Sequence, residues 1–74
     1  SIDDETFKAY THLRDDEGAL NSTEKMLLML LACDADNRQL ATFMNTSIES
    51  IRVRKSQLKK KMQEKAMDTT VFHD

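Results

Sequence analysis

Across all 74 residues there is no proline and only one glycine, Gly18. These two residues supply the fixed and the left-handed backbone angles of tight turns, so a sheet protein has little here to turn its corners with. Valine occurs only at Val53 and Val71, which removes much of the usual material of strands. Helices joined by short polar links remain. A chain this short forms one small domain and buries only roughly 60% of its unfolded surface, which leaves no room for a deep catalytic cleft. The expected fold class is all-α, a small bundle of three or four helices.

Local signals place the helices. A first helix is expected over 2–13, capped by Asp3 or Asp4, with Phe7, Tyr10 and Leu13 at helical spacing. The stretch Asp15–Gly18 interrupts it. Asn21 begins a second helix, with Glu24 three residues on to complete a capping box. Met26, Leu27, Leu30 and Leu31 form its stripe, widened by Leu28 and Met29. It should stop near Cys33–Asp34, with Asp34 in a left-handed conformation. Asp36 and Gln39 repeat the cap for a third helix, whose apolar face is Leu40, Ala41, Phe43 and Met44; Asn45 is expected to end it. Ser47 caps a fourth helix running to about Lys65 or Ala66, with Ile51, Leu58 and Met62 on its buried stripe. The organisation expected is an N-terminal helix or linker from an upstream region (1–18), a helical unit (19–66) and a short, frayed tail (67–74).

The net charge of −2 hides a segregation. Asp3, Asp4, Glu5, Asp15, Asp16 and Glu17 make the first third acidic, and Arg52, Arg54, Lys55, Lys59, Lys60, Lys61 and Lys65 make the last helix basic. Such asymmetry suits an anionic partner, although a solvated basic helix face has the same composition. Cys33 is the only cysteine, so no internal disulfide forms, and a reducing, cytoplasmic setting is expected. The apolar run Met26–Ala32 is far shorter than a membrane span. A start at Ser1 rather than Met suggests a fragment of a longer protein.

A buried apolar helix, a short helix, a tight turn and a longer basic helix is the order of a helix-turn-helix unit, akin to a winged-helix domain without its wing. In such a unit the second helix, here about 48–65, enters the major groove of double-stranded DNA. Arg52 can donate two bonds to guanine, Val53 can pack on a thymine methyl and Ser56 can donate or accept. Ser47 and Ser50, at the helix start, suit phosphate oxygens. Arg54, Lys59, Lys60 and Lys61 supply charge to the backbone.

The stretch "LNSTEKMLLMLLACDADNRQLATFMNTSIESIRVRKSQLKKKM", residues 20–62, resembles the LuxR-type DNA-binding domain of bacterial transcriptional regulators. Matching positions are Leu20, Glu24, Leu28, Leu30, Leu31, Ala32, Asn37, Leu40, Ala41, Met44, Ser47, Ile51, Leu58, Lys61 and Met62, without a gap. The ending further resembles the variant fused to tetratricopeptide-repeat sensor proteins. The resemblance implies a four-helix domain at the C-terminus of a regulator, with an upstream sensor or receiver that drives homodimerisation. By position it implies base reading by Arg52, Val53 and Ser56, and phosphate contact by Ser50, Arg38 and Lys60. Asp34 and Asn45 stand where the family carries turn glycines, and Thr46 where an apolar residue packs. Lys55 falls on the buried stripe, so its stem must snorkel. The family's last helix has no clear counterpart in 63–74, although the tail can still form one turn from Asp68 through Phe72.

Other chemistry is not expected. The methionines suit core gap-filling better than a metal or peptide site, and Cys33 suits a small buried position. His12 and His73 lack zinc spacing, and Asp34 and Asp36 lack the further oxygen ligands of a calcium loop. No nucleophile motif surrounds the serines. Neither an enzyme, a cofactor, a metal nor a small-molecule substrate is expected. The alternative to DNA binding is a protein-interaction module of the same fold, its basic groove docking an acidic partner or the chain's own Asp3–Glu17 segment. Membrane-surface binding by the fourth helix ranks below both, because its apolar side is needed for the core.

Overall fold

The computed structural model describes residues 2–73. Among them, four α-helices and one short 3₁₀ turn account for the regular structure, with no strand: α1 Asp4–Thr11, α2 Ser22–Ala32, α3 Asn37–Phe43, α4 Ile48–Glu64, then the turn Thr70–Phe72. The all-α bundle read from the sequence is therefore the observed architecture.

Side-chain caps open all four helices. Asp3 accepts from the Thr6 amide, and Ser47 accepts from that of Ser50. Asn21 with Glu24, and Asp36 with Gln39, form reciprocal capping boxes with every bond at 2.8 Å. Each of the two capping boxes contributes about 1 kcal/mol. The first helix is shorter than the expected 2–13. Thr11 turns its hydroxyl onto the Phe7 carbonyl and accepts from the Leu13 amide, while His12 adopts a left-handed conformation and ends the helix.

The other three helices stop in one way. Asp34, Asn45 and Ala66 have φ of 63°, 53° and 57°. After each, the next amide bonds back across the last turn: Ala35 to Leu30, Thr46 to Ala41 and Met67 to Met62. The left-handed residues themselves bond Leu31, Thr42 and Gln63. These are Schellman endings, which usually employ glycine. A chain with a single glycine builds three of them from Asp, Asn and Ala.

α1 packs on α2, α3 packs on α4, and the C-terminal turn packs on α2. Every element contributes to one core. Phe7, Leu28, Leu40, Ile51 and Met62 are its fully buried members, joined by Leu13, Leu20, Leu27, Leu31, Ala41, Leu58 and Phe72. Within α2 the stripe centres on Leu27, Leu28 and Leu31, leaving Met26 and Leu30 half-buried. Asp15 closes the loop between α1 and α2 by accepting from the Ala19 and Leu20 amides.

Three expectations are corrected. The tail is not frayed up to His73: Met67 and Val71 pack on the core and Phe72 is buried in it. Phe43 is 62% exposed rather than part of the α3 core face, because burial on this two-turn helix falls on Leu40 and Ala41. Cys33 is exposed; it is the last residue before the chain reverses at Asp34, where the helix leaves the core.

Candidate nucleic-acid interface

α4 is the longest helix, at 17 residues, and its geometry sorts its cations. Ile51, Leu58 and Met62 point into the core. The opposite side carries Arg52, Val53, Ser56 and Lys60, all exposed, with Val53 at 54%. The three residues expected to read bases therefore share an outward face at the N-terminal half of α4.

One flank of that face is concave. Arg52, Lys55, Ser56, Lys59, Lys60 and Gln63 from α4 line it, closed by Asn37 at the start of α3 and by Phe72 of the tail. It encloses about 640 Å³. Four cations line it, and no carboxylate does among the described residues. Lys55 bends out of the buried stripe as its spacing required, and its Nζ donates to Asn37 Oδ1 at 3.0 Å. That bond ties the two helices of the unit together beside the groove.

The remaining expected phosphate contacts are not all here. Arg54 and Lys61 lie on the other flank, with the cap residue Asn21 and with Thr23 and Glu24 of α2. Lys61 is half-exposed, and its Nζ sits 2.9 Å from Glu24 Oε1, the same carboxylate oxygen that completes the α2 cap. Arg38 is exposed on α3, apart from both grooves. Ser47 is exposed and Ser50 half-buried, and the Ser50 amide is already taken by Ser47 Oγ at 3.1 Å. Neither serine therefore presents that amide to a phosphate.

Five residues were missed by sequence reasoning: Asn37, Lys55, Gln63 and Phe72, which line the groove, and Glu49. Helical spacing from Ser56 was the available signal for Gln63. Glu49 Oε1 lies 2.7 Å from Arg52 Nη1, both side chains being well exposed. The i, i+3 spacing announces such a pair.

The acidic N-terminal segment does not occupy the basic groove. Asp4 lies 3.5 Å from Lys25 of α2, whose ammonium also sits 5.6 Å from the Phe7 ring centre. Asp15 is bound to loop amides, and Asp16 pairs with Arg14 at 3.6 Å. No described residue of 2–17 lines the groove. The docking of Asp3–Glu17 onto α4 is thus corrected: Asp3, Asp4, Asp15 and Asp16 meet partners in α1, α2 and the loop between them.

No group of three or more His, Cys, Asp or Glu side chains among the described residues is placed to hold a metal ion. Among the described residues, no helix is long and apolar enough to cross a membrane. Compared with known protein families, with curated proteins and with solved structures, the chain matches none.

Proposed function

We propose that this domain binds double-stranded DNA in a sequence-selective manner, as the output domain of a bacterial transcriptional regulator of the LuxR type. α4 lies in the major groove with its N-terminal half towards the bases. The observation that carries this reading is the outward face of Arg52, Val53 and Ser56, flanked by a groove that Arg52, Lys55, Lys59 and Lys60 line together. Arg52 donates to guanine, Val53 meets a thymine methyl, and the flanking lysines follow the phosphates of one strand. The working setting is the cytoplasm, with DNA as the partner and a homodimer assembled by an upstream segment.

A polarisation titration against random-sequence duplex DNA at low salt tests it. Micromolar binding is expected, with log K falling against log salt by ~0.9 per phosphate neutralised. Against a site selected in vitro, Arg52→Ala should cost on the order of 1–3 kcal/mol. Unchanged affinity in that variant removes the assigned face. One feature favours a second reading, an interaction module for an acidic protein segment. Glu49 and Glu24 already sit on Arg52 and Lys61, which leaves less charge for the dense phosphates of a duplex and suits the few carboxylates of a peptide better. Absence of duplex binding at micromolar protein selects that reading.

A further inference from the structure

We infer that Glu49 is a specificity-determining residue of this interface, positioning Arg52 and penalising contact with DNA in any register where Arg52 meets a phosphate instead of guanine. The inference rests on the DNA-binding reading of α4. Glu49 Oε1 accepts from Arg52 Nη1 at 2.7 Å, one helical turn away, and the two side chains are 79% and 61% exposed.

A guanidinium has five N–H donors in a rigid fork. A carboxylate on one Nη1 hydrogen fixes the plane of that fork and leaves the Nε–Nη2 edge whole. That edge matches the O6 and N7 acceptors of guanine. Held this way, Arg52 reaches a base edge without first giving up the rotamer freedom of a long, exposed side chain. The carboxylate has a second consequence. Where Arg52 turns to a phosphate, Glu49 is carried towards a like charge, and repulsion opposes the contact. Where Arg52 bonds guanine, Glu49 lies at the base edges and can accept from a cytosine amino group. The same carboxylate therefore weakens non-selective binding and favours a G·C-containing site. An acid in the first turn of a helix is also favoured by the backbone dipole, which alone would leave base preference untouched.

The test is selection of duplexes with a fully randomised core by the unmodified protein, Arg52→Ala, Glu49→Ala and Glu49→Gln, alongside random-duplex titrations at low salt. Melting curves confirm that each variant folds. The unmodified protein should select guanine at one position, and Arg52→Ala should lose that preference. Glu49→Ala should keep binding, gain about threefold or more for random duplex, and lose about fivefold or more of the guanine preference. Glu49→Gln keeps an acceptor without the charge, so its random-duplex affinity rises while its guanine preference falls less. If Arg52→Ala loses the preference and both Glu49 variants retain it, the positioning role is overturned and the DNA-binding reading stands. If the unmodified protein selects no base at all, both fall together.

Discussion

Ala66 is the residue whose backbone is most at odds with its type. At φ 57° an alanine Cβ crowds the carbonyl, at a cost of roughly 1–2 kcal/mol, and alanine lacks the tolerance for this region that Asp and Asn have as residue types. Ala66→Gly should stabilise the domain by about 1 kcal/mol, the strain relieved exceeding the extra freedom glycine gives the unfolded chain. Chemical denaturation measures it, and a loss of stability would contradict the Schellman geometry. Two exposed carboxylates make stability depend on pH. The backbone amide of Thr6 holds Asp3 below the usual aspartate range, and that of Thr70 does the same for Asp68. A folded-state value below the unfolded one gives stability that is present above the unfolded value and lost as pH falls through the folded one. The melting temperature should therefore drop on acidification below about pH 4. Asp3→Asn with Asp68→Asn, which keep an acceptor but do not titrate, should flatten that drop.

The lysines of α4 look alike in sequence, and the fold separates them. Lys60 is exposed at the groove, while Lys61 is turned to Glu24 on the other flank. Lys60→Gln should reduce the salt dependence of duplex binding by about one phosphate's worth, and Lys61→Gln should change it little. The partly exposed Lys61–Glu24 pair should add no more than about 1 kcal/mol to stability. Equal effects of the two substitutions on the salt slope would place the DNA differently. What could be read in advance at this scale follows the range of the interaction. Caps and left-handed ends depend on residues within a turn, so Asn21, Asp36, Ser47, Asp34 and Asn45 were all legible. Lys61 meets Glu24 across 37 positions, which no helical periodicity encodes. Glu49 was within reach of the i, i+3 rule, but a carboxylate does not stand out on a helix whose other charges are nearly all positive.

At the scale of the whole molecule, α1 and the 3₁₀ turn close the bundle around α2, α3 and α4. Phe7 of α1 is fully buried, and Phe72 brings the tail back onto α2 while walling the basic groove. Asp68, Thr69, Thr70 and His73 made 67–74 read as a fraying end; Met67, Val71 and Phe72 override them because their burial depends on a surface formed by distant segments. Phe72→Ala should cost about 3–5 kcal/mol. That is a large fraction of what a domain of this size holds in reserve, so thermal unfolding near room temperature is expected; a melt within a few degrees of the unmodified protein would show the tail to be dispensable. The outward face of Arg52, Val53 and Ser56 was legible because a helix with one buried stripe has only one opposite side. The concavity beside it was not, since α3 and the tail shape it.

Amide NMR shifts of the isotope-labelled domain, followed as random-sequence duplex DNA is added at low salt, would locate the contact on the molecule itself. Shifts should gather on Arg52, Val53 and Ser56, extend to Lys59, Lys60 and Gln63 along the groove, and fade as salt is raised. Shifts confined to the α2 flank around Thr23 and Arg54, or none at all at micromolar excess of duplex, would contradict a DNA-reading α4.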